Sequence, residues 1–317
     1  LTVSCTRLLM DGAPYEYQGL SFFNALYNPS FNASDEACRG WLRRFRAWGI
    51  TALRVWGDWR VQNGWVDEGP DHSLWIYPGT TRYASGEIRN RLYEPEGEIQ
   101  TEALARLTRL LTLADEEGMV IEIALFTHYM VYPVRTRDDY VERLTRALRP
   151  WRNCIFQVWN EYDDGTLRHL ETVKREDPER LVTNSPGGAG RLGDQAENQM
   201  LDLLSPHTFR HGQGNFWEVA PQQVADLLDR YGKPVLDDEP ARTGTPKHGG
   251  NPGSSVEQHI AHIDAVRAVG GYGNYHHDMF QSDYGAPTTP PEGIPDPEFS
   301  PFHRQIFEHL RTLKHGR

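Results

Sequence analysis

The chain has 317 residues, a formal net charge of −11 and a pI near 5.6. An acidic surface repels a polyphosphate backbone, and the sequence contains no basic stripe that would reverse this repulsion, so we expect no nucleic-acid partner. No apolar run approaches the roughly 20 residues that span a bilayer, so we expect a soluble protein with no membrane partner.

Strand-like apolar runs alternate along the chain with amphipathic helical stretches, a pattern typical of a parallel α/β fold. Eight strands are predicted, at residues 17–23, 51–56, 120–126, 155–160, 181–183, 201–205, 234–238 and 271–275. Helices are predicted from the Ser34-Asp35 cap through Trp48, from Thr101 to Gly118, and at 137–148, 167–175, 219–231, 256–268 and 304–313. Eight such units predict a (β/α)₈ TIM barrel in which residues 1–317 form a single domain.

Two long insertions are predicted on connections that follow strands. Residues 57–99 follow the second strand and contain the aromatic residues Trp59, Trp65, Trp75 and Tyr77, whereas the proline-rich residues 287–301 precede the last helix. Barrel enzymes build their sites on these βα loops, so we expect the insertions to border the functional site.

Two apolar runs end in an acidic residue where barrel strands four and seven should stop. Residues 153–161 end in Glu161, and residues 233–239 end in Glu239. Cleavage of a glycosidic bond with retention of configuration needs two carboxyl groups about 5–5.5 Å apart, and the carboxyl ends of two barrel strands can supply them.

This pair resembles the Asn-Glu of strand four and the Glu of strand seven in the cellulase-like barrels of the clan A glycoside hydrolases, nearest to glycoside hydrolase family 5. Asp11-Gly12 followed by residues 17–20 resembles that family's first strand, and residues 48–54 resemble its second strand. The likeness spans nearly the whole chain.

The resemblance implies a retaining glycosidase that cleaves β-linked oligo- or polysaccharides. Glu161 would be the general acid/base, Glu239 the nucleophile, Asn160 a donor to the sugar 2-hydroxyl, and Arg54 a cationic neighbour of Glu239. Arginine and hydrogen-bond donors favour an ionised nucleophile, while apolar neighbours favour a protonated acid. Secretion or a periplasmic location is expected from this substrate class, and a cytoplasmic one is also open.

The resemblance places His128 and His207 along the sugar subsite, but the sequence departs from the family's pattern nearby. Phe209 stands where the family has a tyrosine that hydrogen-bonds the nucleophile, and Tyr162 replaces the proline common after Asn-Glu. Strand eight ends in Tyr-His-His-Asp, with His276 near the position of the usual tryptophan. We therefore assign no particular sugar.

Other residues have more than one interpretation. Trp56, Trp59 and Trp65 are predicted to be exposed platforms that stack on sugar faces, or else to pack the long insertion onto the barrel. Strand alternation puts Asp237 on the same face as Glu239, so Asp237 is an alternative nucleophile and an alternative partner of Arg54.

Two alternative functions remain open. Phe209 and the unusual end of strand eight are consistent with an inactive carbohydrate-binding barrel. A metal-dependent barrel hydrolase would instead use histidines that converge at the barrel mouth, namely His128, His207, His211, His276 and His277. No His-x-His follows the first strand, and the three cysteines lack zinc-site spacing, so we expect no metal and no cofactor.

Overall fold

The structure of the protein is a computed structural model. It describes residues 1–58, 92–93, 97–127, 134–187, 190–209, 215–240, 254–277 and 293–313. Of the predicted features, His128, His211, Trp59, Trp65, Trp75 and Tyr77 lie outside these residues.

A short antiparallel sheet precedes the barrel, and the sequence patterns did not predict it. It consists of β1 (Thr2–Ser4), β2 (Arg7–Met10) and β3 (Ala13–Pro14). The Leu8 amide donates to the Tyr272 hydroxyl at 3.2 Å, and Leu8 is buried among apolar side chains from the first residues of the barrel strands. The sheet therefore closes the end of the barrel opposite the carboxyl ends of the strands.

Seven parallel strands curl into one sheet in the order β8-β7-β6-β5-β4-β10-β9. They are β4 (Gln18–Ser21), β5 (Ala52–Trp56), β6 (Val120–Thr127), β7 (Cys154–Asn160), β8 (Leu181–Ser185), β9 (Leu236–Asp237) and β10 (Tyr272–Tyr275). Each coincides with a predicted strand to within a few residues. The predicted (β/α)₈ barrel is confirmed.

The sixth predicted strand, 201–205, is wrong as a regular strand. The Asp202 amide donates to the Val182 carbonyl at 3.1 Å, and Leu204 forms a single parallel bridge with Val235. The preceding helix ends only at Met200 and Pro206 follows, so few residues remain for pairing. This extended segment nevertheless fills the gap between β8 and β9 and closes the ring.

Eight helices occur in the described parts of the chain. They are α1 (Asp35–Ala47), α2 (Thr101–Glu116), α3 (Val134–Leu148), α4 (Thr166–Glu176), α5 (Gln195–Met200), α6 (Phe216–Tyr231), α7 (Val256–Ala268) and α8 (Pro301–Leu313). The predicted Ser34 cap is confirmed, because its side chain accepts the Ala37 amide at 3.1 Å. The short α5 was not predicted. Within the described residues, no helix has the length and apolar character needed to cross a membrane.

Apolar side chains fill the space between the strands and the surrounding helices, whereas the barrel interior contains a layer of polar side chains. Gly19 on β4 makes room for one of these. A Cβ atom there would lie 1.6 Å from Oδ1 of Asn274, a residue of the neighbouring β10 that points into the barrel. The polar layer thus lies directly beneath the carboxyl ends of the strands, where the candidate site lies.

Candidate active site

Two carboxyl groups face each other at the carboxyl end of the barrel. Glu161 immediately follows β7, and Glu239 lies two residues after β9. One carboxylate oxygen of each lies within 4.8 Å of the other. The Glu239 side chain is 2% exposed and that of Glu161 is 16% exposed. The two predicted acids are therefore close together, and Glu161 is the more open to solvent.

Glu161 has an unusual backbone conformation. Its φ of +60° lies in the left-handed region, which costs a residue with a side chain roughly 1–2 kcal/mol. The next residue is tied to the neighbouring strand, since the Tyr162 amide donates to the Ser185 carbonyl at 3.3 Å. Strained conformations of this kind concentrate at functional sites, where the surrounding structure holds them in place.

Arg54 of β5 connects Glu239 to the polar layer. Its Nη1 donates to Oε1 of Glu239 at 2.8 Å, and its Nη2 donates to Oδ1 of Asn160 at 2.5 Å. Its Nε and Nη2 both donate to Oε1 of Gln157. The Trp56 ring lies 4.5 Å from the guanidinium carbon and helps to exclude water from it. Arg54 therefore holds Glu239 and Asn160 in fixed positions.

A second buried acid shares this arginine. Oδ2 of Asp238 lies 3.0 Å from Nη2 of Arg54 and accepts from Nε2 of Gln157 at 2.8 Å. Burial raises the pKa of Asp238 well above its usual value, against the opposing effect of Arg54, and the nearby Glu239 carboxylate raises it further. Burial also disfavours the charge on Arg54, but Asp238 and Glu239 raise the pKa of Arg54 above its usual value.

The polar layer continues down the barrel to Glu122 of β6. Its Oε1 accepts from Gln157 at 3.0 Å, and its Oε2 accepts from the Tyr17 hydroxyl at 2.6 Å. Burial raises the pKa of Glu122, although Arg54 and the Tyr17 hydrogen bond oppose this shift. Gln157 and Glu122 are not among the residues predicted from the sequence. The available signal was a polar side chain inside an otherwise apolar strand, which is costly unless it is hydrogen-bonded.

Asp237 does not belong to the site, so its interpretation as an alternative nucleophile is wrong. Its Oδ1 accepts from the Thr208 hydroxyl at 2.8 Å, and its Oδ2 lies 2.6 Å from Nε2 of His262 on α7. The side chain thus points outward to the helices. Strand alternation fails as a guide because β9 ends at Asp237, and Arg54 contacts Asp238 and Glu239 instead.

His207 lies between the two candidate catalytic acids. Its Nδ1 is 3.7 Å from Oε1 of Glu161, and its Nε2 is 3.7 Å from Oε2 of Glu239. Nε2 also lies 2.5 Å from the Ser185 hydroxyl at the end of β8. The imidazole is fully buried and separates the carboxylates on one side of the site.

His276 reaches Glu239 from the end of the neighbouring strand, β10. Its Nε2 lies 3.9 Å from Oε2 of Glu239, while its Nδ1 is 2.9 Å from the Ser21 hydroxyl at the end of β4. The Phe23 ring packs edge-on against the imidazole, with 5.2 Å between ring centroids. Both predicted subsite histidines within the described residues therefore lie at Glu239.

The structure also defines the surroundings of two other predicted residues, Trp56 and Phe209. Trp56 is fully buried and stacks on Phe23 with 4.4 Å between ring centroids, so its interpretation as an exposed sugar platform is wrong. Its position between Arg54 and Phe23 accounts for this burial. Phe209 is partly buried, and its amide donates to Oε1 of Gln223 at 2.7 Å.

The predicted histidine convergence occurs only in part. His207 and His276 meet at Glu239, but His277 points outward to His259 and His303, with ring-centroid distances of 5.9 and 4.4 Å. In the part of the chain that the structure describes, Glu161, His207 and Glu239 are the one group of three histidine, cysteine or acidic residues whose potential metal-ligand atoms lie mutually within 4.8 Å. This group is made up of the two candidate catalytic carboxylates and the imidazole of His207 between them.

Comparisons with known proteins agree on the fold. No protein-family model matches the chain, and no curated protein matches it in sequence. Among solved structures, it is similar to a Bacteroides vulgatus protein provisionally described as a glycoside hydrolase, with a TM-score of 0.71 and 17% identity. The alignment covers 98% of this chain and 60% of that one, so the chain spans less than two thirds of that protein.

Two further structures match over a larger share of their own length. An endo-1,4-β-mannanase from Eisenia fetida gives a TM-score of 0.60 at 16% identity, covering 100% of this chain and 95% of that one. A variant of a subfamily 18 member of glycoside hydrolase family 5 from Streptomyces cattleya was solved with the disaccharide Manβ1-4GlcNAc. It gives a TM-score of 0.61 at 16% identity, covering 96% and 82% of the two chains. The fold is thus the barrel of glycoside hydrolase family 5 structures.

Proposed function

We propose that this protein is a retaining glycoside hydrolase that cleaves β-linked glycosides, with Glu161 as the general acid/base and Glu239 as the nucleophile. The observation that carries the proposal is the approach of the two carboxylates to within 4.8 Å. Retaining glycosidases have carboxyl groups about 5–5.5 Å apart, whereas inverting ones leave about 6.5–9.5 Å for a water molecule.

The surroundings of the two acids differ in the way the first step requires. Glu239 is buried and accepts a hydrogen bond from Arg54, which favours the ionised form needed to attack the anomeric carbon. Glu161 is more exposed, and it would protonate the glycosidic oxygen. The bond from sugar to leaving group breaks as a Glu239–sugar ester forms.

The second step reverses these roles. Formation of the ester removes the negative charge of Glu239, and Glu161 has by then given up its proton. Glu161 then accepts a proton from an attacking water, which releases the sugar from Glu239 with its original configuration. His207 lies 3.7 Å from each acid, so both changes in charge alter the electrostatic field at its imidazole.

Asn160 is placed to contact the sugar. Its Oδ1 is engaged by Arg54, so the amide nitrogen is the end left for the 2-hydroxyl of the sugar. Such a hydrogen bond strengthens in the transition state and accelerates both steps. β-1,4-Linked mannosides are the first substrates to test, because a mannanase and a mannosyl disaccharide complex are among the similar structures.

The proposal is tested by screening β-mannans, β-glucans, xylans and aryl β-glycosides, with the anomer of the first-formed product recorded by NMR. We expect the β-anomer to appear first. An α-anomer first would indicate inversion, binding without turnover across the panel would favour a carbohydrate-binding barrel, and loss of activity with a chelator would favour a metal-dependent hydrolase.

A further inference from the structure

Three buried acids share one cation of fixed charge in the barrel interior. Within the described residues, Glu122, Asp238 and Glu239 are at most 1% exposed, and Arg54 is the guanidinium buried among them. The other basic groups beside them are the imidazoles of His207 and His276, which lie 3.7 and 3.9 Å from Glu239. Charge away from water is costly, which favours neutral forms among these carboxyl groups and imidazoles.

The hydrogen bonds indicate which acid holds the proton. Both oxygens of Glu122 accept hydrogen bonds, from Gln157 and from Tyr17, and Glu239 accepts from Arg54. On Asp238, Oδ2 accepts from Gln157 and faces Arg54. Among the described residues, Oδ1 has no partner within hydrogen-bond distance, and it lies 3.8 Å from Nε2 of His207. Donors stabilise a carboxylate, so Oδ1 of Asp238 is the position best suited to a proton.

The charged and titratable groups facing Asp238 come from several parts of the barrel. They are Arg54 on β5, Glu122 on β6, and, beyond the barrel strands, His207 and the adjacent Glu239. The Ser185 hydroxyl on β8 favours the charged form of Asp238, against the larger effect of burial. Arg54 is the one cation of fixed charge in this set, and two carboxyl groups compete for it.

We propose that Asp238 is a positioning residue that remains a neutral carboxylic acid in the working enzyme, so that the charge of Arg54 acts on Glu239 alone. Its carbonyl oxygen still accepts from Gln157 and Arg54 and keeps the guanidinium in place. An ionised Asp238 would place a second negative charge beside Glu239, and the attraction of Arg54 would be shared between the two anions. Both effects would raise the affinity of Glu239 for a proton. The effect on turnover rests on the proposed function, but the protonation state does not.

The protonation state is tested by infrared spectroscopy at neutral pH, so that the measurement does not depend on finding a substrate. We expect the carbonyl stretch of a protonated carboxyl group in the wild type, shifted when aspartate is labelled with ¹³C and absent from Asp238→Asn. The labelling experiment needs no variant, so it remains decisive if Asp238→Asn does not fold. A spectrum without an isotope-sensitive band overturns the proposal.

The role in catalysis is tested by the pH profile of kcat/KM. Asn is a neutral isostere of the protonated acid, so the acidic limb of Asp238→Asn should have the same midpoint as wild type, with kcat within about tenfold. Asp238→Ala removes the support for Arg54 and should lower kcat by about 10²-fold with a smaller change in KM. An acidic limb displaced to lower pH in Asp238→Asn would mean that wild-type Asp238 is charged, and would overturn the proposal.

The two proposals fail in different ways. An aspartic acid band in a protein that hydrolyses no glycoside would reject the proposed function and retain the neutral Asp238. Retaining hydrolysis without that band would retain the function and reject the inference.

Discussion

Arg54 and Glu239 form a buried ion pair across the barrel, with 2.8 Å between Nη1 and Oε1 and almost no exposure of either side chain. The same guanidinium bonds Asn160, the residue that precedes Glu161. The two candidate catalytic strands are thereby linked through one side chain. This explains how strand ends from separate parts of the sequence are held at a fixed separation.

Replacement of Arg54 should affect stability and activity together. Arg54→Met leaves the Glu239 carboxylate without its cation, and breaking a buried pair in this way costs about 3–5 kcal/mol. Arg54→Lys keeps the charge but lacks the planar fork that reaches Gln157 and Asn160, so kcat/KM should fall by about 10²-fold while more stability is kept. Urea unfolding and initial rates measure both effects. A stable Arg54→Met protein would contradict this account of the buried charges.

The left-handed backbone of Glu161 should lower the stability of the fold at a residue proposed to be catalytic. Glu161→Gly relieves the left-handed conformation and should raise the free energy of unfolding by about 1 kcal/mol. Glu161→Gln is the matched control, because it abolishes the acid but keeps a side chain in the strained position. Both variants should lose activity, and only the glycine should be stabilised in thermal unfolding. Equal melting temperatures would show that the strain is not stored at this residue.

Gly273 on β10 leaves a cavity of about 30 Å³ between the barrel and α7 and α8. A Cβ atom there would approach no atom closer than 3.8 Å, so Gly273→Ala should stabilise the protein by about 1 kcal/mol. Gly271→Ala is the contrasting variant, since its Cβ would lie 2.5 Å from Val224 and should cost about 1–3 kcal/mol. Chemical denaturation measures both. A destabilised Gly273→Ala would refute this view of the cavity.

Acid should loosen the packing of α7 and α8. Burial lowers the pKa of His259 and His303 to about 3. Their ordinary pKa is about 6.5, so below that pH the unfolded chain binds protons that the folded chain excludes. This part of the stability is complete above about pH 6.5 and declines towards pH 3, by about 1.4 kcal/mol per pH unit for each histidine.

His259→Leu removes one of these groups, so its free energy of unfolding should fall less steeply than that of wild type between about pH 6 and about pH 4. Met200→Leu, at an exposed position without a titratable side chain, is the control and should keep the wild-type slope. Urea titrations at several pH values give the slopes. Parallel slopes for wild type and His259→Leu would contradict the lowered pKa.

The sequence predicts regular, strongly patterned elements well and irregular ones poorly. The helices α1 and α7 match their predicted bounds closely because Ser34 and Ser255 supply recognisable caps. The β1–β3 sheet was missed, since strands of two to four residues carry too little periodicity. The segment 201–205 was predicted as a strand from its apolar residues, although it forms one bridge only.

In the candidate site, too, residues at the ends of regular strands were predictable and residues positioned by distant contacts were not. Glu161 and Glu239 were identifiable because each ends an apolar strand, and the barrel brings strand ends together. Alternation gave the wrong face for Asp237, because the regular strand stops there. Trp56 and Asp238 owe their positions to contacts with Phe23, Arg54 and Gln157, which come from three different strands or loops. No local pattern contains that information.

The proposed roles of Glu161 and Glu239 are tested most directly by azide rescue on an activated aryl β-glycoside. Azide should restore turnover to Glu239→Gly and give the α-glycosyl azide, because it enters from the face that the nucleophile vacates. In Glu161→Gly it should attack the glycosyl-enzyme and give the β-glycosyl azide. Rates close to wild type in either variant without azide, or the same anomer from both, would contradict the assignment.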